Sequence, residues 1–65
     1  MEEAINVLER KRNEWIERAE YHRKASMEAH VAENMSKRDE ERQLAQLAID
    51  NINGLGYAIE VLKNN

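Results

Sequence analysis

The chain contains no proline, and its only two glycines, Gly54 and Gly56, stand almost together in the C-terminal quarter. Proline and glycine are the strongest local terminators of helices and builders of turns. A chain nearly without them has few ways to do anything but run helical. The spacing of apolar residues supports this. Ile5, Leu8, Trp15, Ala19, His22 and Ala29 recur at three- and four-residue steps, with Arg12 and Ser26 on the intervening rungs. That is the heptad-like stripe of an amphipathic helix, interrupted by polar positions. Glu14 and Arg18, and Glu20 and Lys24, stand at i,i+4 in the favourable order for helix-surface pairs.

The chain must still turn back on itself to bury the stripe. The reversal falls within Ala32 to Ser36, which predicts helix 1 over about residues 3–33, a turn at 34–36 and helix 2 over about 37–62. Asn34 suits a helix C-terminal cap. Ser36 followed by Asp39 resembles a capping box, and Asp39, Glu40 and Glu41 would then lie in the first turn, where the helix dipole favours carboxylates. The alternative, one continuous helix, would be about 90 Å long and could bury its stripe only on a partner.

Helix 2 carries two apolar stripes. One is Leu44, Leu47, Ala48, Leu55, Ala58 and Leu62; the other is Ala45, Ile49, Ile52, Gly56 and Ile59. One neighbour cannot cover both. One stripe is expected to pack on helix 1, and Ala45, Ile49, Ile52, Gly56 and Ile59 are the candidate face between copies of the chain. Gly54-Leu55-Gly56 is read either as a local break, with Asn53-Gly54 as a C-cap and a short final helix from Tyr57, or as a place where another helix or a ligand closely approaches the backbone.

Size points to assembly as well. A chain of 65 residues is one domain at most, and domains this small usually need disulfides, a metal or oligomerisation. It has no Cys, which excludes disulfides and thiolate zinc sites. The expectation is therefore an all-α fold, an antiparallel two-helix hairpin assembling into a homo-oligomeric helical bundle. Met1-Glu2-Glu3-Ala4 lacks the basic and apolar regions of a secretory signal, and no apolar run approaches a membrane span. The expected location is the cytoplasm. Ten basic and thirteen acidic residues are interspersed, unlike the clustered basic footprint of nucleic-acid binders.

Catalytic constellations are absent from the sequence pattern. His22 and His30 are eight residues apart without the Glu-x-x-His spacing of di-iron bundles. Ser26 and Ser36 have no acid–base partner at interpretable spacing, and Gly-Leu-Gly does not follow a strand as a phosphate loop requires. No enzyme activity, cofactor or metal is expected. Binding groups are present. Arg38 and Arg42 stand one turn apart near the expected start of helix 2, where the dipole would help them hold an anion. Arg12 lies one turn before Trp15, the only tryptophan, on the stripe of helix 1. Arg38, Arg42, Tyr57, Arg12 and Trp15 are the candidate ligand-binding residues.

The run Glu41-Arg42-Gln43-Leu44-Ala45, with Ile49-Asp50 and Ala58-Ile59 after it, resembles the second helix of the phage sponge hairpins. These small proteins block the CBASS and Thoeris defence systems by sequestering cyclic-nucleotide signals. The likeness covers about a third of the chain. Gln43 stands where that family has a Ser or Thr in the opening turn, and Gly54-Leu55-Gly56 replaces a bulkier segment. The resemblance implies a homo-oligomer with nucleotide pockets between protomers, acting in the host cytoplasm, with Arg42 as a phosphate contact. The other reading from the residues is a protein–protein module, a regulator or assembly adaptor, that docks a partner helix.

Overall fold

Reversal of the chain is built from three backbone hydrogen bonds and one side chain. In the computed structural model, which describes residues 2–64, helix α1 (Glu2–Val31) gives way to helix α2 (Met35–Lys63) across three residues. The amide of Ala32 donates to the Glu28 carbonyl at 3.0 Å, that of Glu33 to the His30 carbonyl at 3.0 Å, and that of Asn34 to the Ala29 carbonyl at 2.8 Å. The last two are the five-to-two and six-to-one bonds of a Schellman motif, which requires a left-handed residue just past the helix end. Glu33 is that residue, with φ of 59°. Asn34 then opens α2: its side-chain oxygen accepts from the Lys37 amide at 3.2 Å.

The corner therefore lies two residues earlier than the sequence reading placed it. Asn34 caps the start of α2 and not the end of α1, and Ser36 lies inside the helix. Asp39, Glu40 and Glu41 fall beyond the first turn, which holds no acidic residue. The reason is competition between two capping residues. Asn34 is among the best N-caps, and using it extends α2 by two residues.

The two helices run antiparallel in a slender hairpin of 49 × 14 × 10 Å. On α1 the seam follows Ile5, Leu8, Arg12, Trp15, Ala19, His22, Ser26 and Ala29; on α2 it follows Arg38, Glu41, Ala45, Ala48, Ile52, Leu55, Ile59 and Leu62. Every one is buried or half-buried. Both series alternate three- and four-residue steps, the seam of an antiparallel coiled coil. The seam is graded along its length. Next to the turn it is small or polar, with Ser26, Ala29, Ala45 and Ala48 buried. Toward the open end it is Ile and Leu, with Ile59 only 3% exposed. Among the described residues, no large side chain is completely enclosed.

Strict alternation also decides which apolar residues of α2 face inward. It draws Ala45, Ile52 and Ile59 from one stripe and Ala48, Leu55 and Leu62 from the other. Of the set Ala45, Ile49, Ile52, Gly56 and Ile59, the seam thus takes Ala45, Ile52 and Ile59, while Ile49 and Gly56 lie half-buried on its flank. Leu44 and Leu47 are left outside at 43% and 56% exposure.

Helix α2 runs unbroken through Gly54-Leu55-Gly56, so these glycines do not end it. Each costs about 1 kcal/mol relative to alanine in a helix interior. Beyond the backbone of its own helical turns, a Cβ added at either position would meet no atom within 4 Å. Contact with α1 therefore does not account for them.

Candidate functional site

The side chains best placed to bind something sit on one flank of the hairpin near its closed end. The last turns of α1 bring Arg23, Ser26, Met27 and His30 to one face by three- and four-residue steps, and α2 answers with Arg42, Ala45, Gln46 and Ile49. Between them lie two adjoining hollows of about 290 and 200 Å³, which share Ser26, Met27 and Arg42. They exist because Ser26 and Ala45 are small. A pair of leucines at those seam positions would fill the floor.

The lining charge is one-sided. Arg23 and Arg42 face the groove with His30 at its end, and no described carboxylate lines either hollow. Neither arginine forms an ion pair with a described carboxylate. Three nearby acids are engaged elsewhere: Asp39 with Arg38, Asp50 with the Gln46 amide at 3.0 Å, and Glu41 with His22 across the seam. Glu20, one turn before Arg23, lines the next hollow along α1 with Arg23, Lys24 and Met27. Ser26 is buried, and its hydroxyl donates weakly to the Arg38 carbonyl at 3.4 Å. The groove can therefore offer two guanidinium groups and an adjustable hydroxyl to an anion. Guanidinium donors in fixed fork geometry suit phosphate.

The opposite flank differs. Its hollow, about 430 Å³, is lined by Lys24 and Lys37 but also by Glu28 and Glu41. Its charges balance, so its larger volume does not make it the better anion site.

Of the five candidate residues, Arg42 alone lines the basic groove. Arg38 is spent on its neighbours: Nη2 lies 3.1 Å and Nε 3.2 Å from Asp39 Oδ1, and Nη1 lies 3.2 Å from His30 Nδ1. With α2 starting at Met35, Arg38 and Arg42 also stand in its second and third turns, beyond the reach of the dipole at its end. Arg12 and Trp15 are half-buried in the seam. The Trp15 ring is covered by Arg18, whose guanidinium carbon is 4.5 Å from the centroid. Arg18 was expected beside Glu14; the ring face takes it instead. Tyr57 is 74% exposed and lies fifteen residues, about 22 Å, along α2 from Arg42. Within one chain these five residues are not brought together.

Arg23, Ser26 and His30 complete the groove, and the sequence reading did not select them as ligand contacts. Their signal was the Arg23–Ser26–Met27–His30 spacing on α1, which means nothing until the hairpin register sets Arg42 opposite. Among the described residues, no group of three or more His, Asp or Glu side chains is placed to hold a metal ion. No described helix is long and apolar enough to cross a membrane. Comparison with protein-family models, with curated proteins and with solved structures finds no match to this chain.

Proposed function

We propose that this chain is a small, non-catalytic binding protein that works as a homo-oligomer and sequesters a phosphate-bearing small molecule. The observation that carries the reading is the groove lined by Arg23 and Arg42, in which neither arginine forms an ion pair with a described carboxylate and no described carboxylate lines the two hollows. The sponge-hairpin resemblance supplies the ligand class, a nucleotide immune signal, and Arg42 is the residue common to both arguments. In that form the protein is phage-encoded and acts by removing the signal or otherwise inhibiting a host defence factor.

The test is titration calorimetry with cyclic di- and trinucleotides and with cyclic ADP-ribose isomers. A charge-assisted contact contributes about 1.5–3 kcal/mol, so Arg42→Ala should weaken binding roughly ten- to hundred-fold. Arg23→Ala should act alike, while Arg12→Ala and Tyr57→Phe leave affinity unchanged. Binding of none of these ligands by the wild type ends the nucleotide reading. Equal losses at Arg12 would move the site to the middle of the hairpin.

A second reading, an adaptor that docks a partner helix, is favoured by Leu44 and Leu47, which stand exposed side by side on α2. It requires a protein that is polydisperse alone and indifferent to nucleotides.

A further inference from the structure

Leu44, Leu47, Asn51, Gly54, Ala58 and Val61 follow one another along α2 at three- and four-residue steps, and so share a face beside the seam. All but the half-buried Ala58 are exposed. From Gln43 to Ile59 the only charged residue is Asp50, in a chain that is 35% charged overall. An exposed helix face stripped of charge over more than four turns is a face kept for another protein surface.

We propose that this face pairs antiparallel with the same face of a second copy. The pairing specifies the oligomeric part of the function proposed above and is independent of the ligand.

Area argues for a second copy of about this size. A folded monomer of 7.6 kDa should expose about 4,300 Å². The hairpin exposes 5101 Å², an excess of about 800 Å², which is what one partner contributes to a standard interface. The gradation of the strip argues for antiparallel order. Its N-terminal half is bulky, Leu44 and Leu47; its C-terminal half is smaller, Gly54, Ala58 and Val61. Laid antiparallel, Leu47 of one copy sits over Ala58 of the other, Asn51 over Gly54, and Leu44 against Val61. Laid parallel, leucine would meet leucine and glycine would face glycine across an unfilled gap, where neither surface has atoms to attract. The pairing also accounts for Gly54, whose missing side chain leaves open space on the chain's own surface. Asn51, whose amide now donates to the Leu47 carbonyl at 2.9 Å, lies next to the twofold axis. A lone polar residue there fixes register, as buried Asn does in coiled coils.

The experiment combines light scattering with cross-linking on the full chain. Wild type at micromolar concentration should have at least twice the mass of one chain. Leu47→Glu should reduce that to a single chain with its helical circular dichroism retained, because Leu47 is outside the seam. The chain has no native cysteine, so a single introduced thiol reports its own neighbourhood. Asn51→Cys should be captured as a dimer by a short bifunctional maleimide. Gln43→Cys, far from the axis in antiparallel order, should not. A monomeric wild type overturns both the pairing and the oligomeric reading. An oligomer indifferent to Leu47→Glu, or one in which Gln43→Cys is captured as readily as Asn51→Cys, overturns this pairing alone. If Leu47→Glu loses its helices, the two cysteine variants decide. Nucleotide titration of the same samples reads the ligand part separately.

Discussion

His22 and Glu41 meet across the seam of the hairpin, with Nδ1 2.6 Å from Oε2 and the two side chains only 22% and 15% exposed. They occupy positions where a coiled-coil seam ordinarily carries apolar residues. A half-buried polar pair costs desolvation, and removing one partner leaves the other unsatisfied. His22→Leu or Glu41→Leu alone should destabilise the protein by about 1–2 kcal/mol. The double variant should recover that loss or exceed wild type, since two well-packed leucines need no partner. Urea unfolding at one fixed protein concentration measures this. Additive losses would mean that the pair contributes nothing as a pair.

The corner offers a cleaner test. Glu33 carries a left-handed backbone, which disfavours any residue with a Cβ by roughly 1–2 kcal/mol. Glu33→Gly should therefore raise stability by about 1 kcal/mol, and Asn34→Ala should lower it by about as much through loss of the cap to Lys37. For a chain of this size each change corresponds to a shift in Tm of about 4–8 °C, in opposite directions. Shifts of the same sign would contradict the turn geometry.

Much of the hairpin was legible before the structure, and particular residues show why. Absence of proline and the three–four spacing from Ile5 to Ala29 specify the first seam outright. The corner was misplaced by two residues because Asn34 and Ser36 are both good caps, and local preference does not choose between them. Contact geometry chose, by setting the Asn34 amide within reach of the Ala29 carbonyl. The inward face of α2 was harder to read. Two adjacent stripes of Ala, Ile and Leu are equally apolar, and only pairing with α1 splits them into Ala48 inside and Leu47 outside. The basic groove was half visible. Arg42 stands out in the sequence, but Arg23 lies nineteen residues away and joins it only through the register. Arg38 has the right spacing to Arg42, but the structure engages its guanidinium with Asp39 and His30.

Gly56 separates helix propensity from packing. It is half-buried, on the flank away from Leu44 and Leu47, and beyond the backbone of its own helical turns no atom lies within 4 Å of the Cβ it lacks. Gly56→Ala should stabilise the protein by about 1 kcal/mol with no change in mass. Thermal unfolding with light scattering on the same sample checks both halves. A loss of stability would mean that a backbone from outside the chain approaches Gly56 as well.

The gradation of the seam, polar beside the turn and apolar at the open end, bears on the order of events in folding. Ser26 reaches Arg38 across 12 residues and His22 reaches Glu41 across 19; Glu9 reaches Lys63 only across nearly the whole chain. Closing the short loops first costs the least chain entropy, and each closure shortens the loop left for the next. The hairpin is therefore expected to zip from its corner outward. The weakly attractive polar contacts form before the strongly attractive apolar ones, so the early rungs set how fast the chain folds. The Ile and Leu rungs, added last, set how long it stays folded.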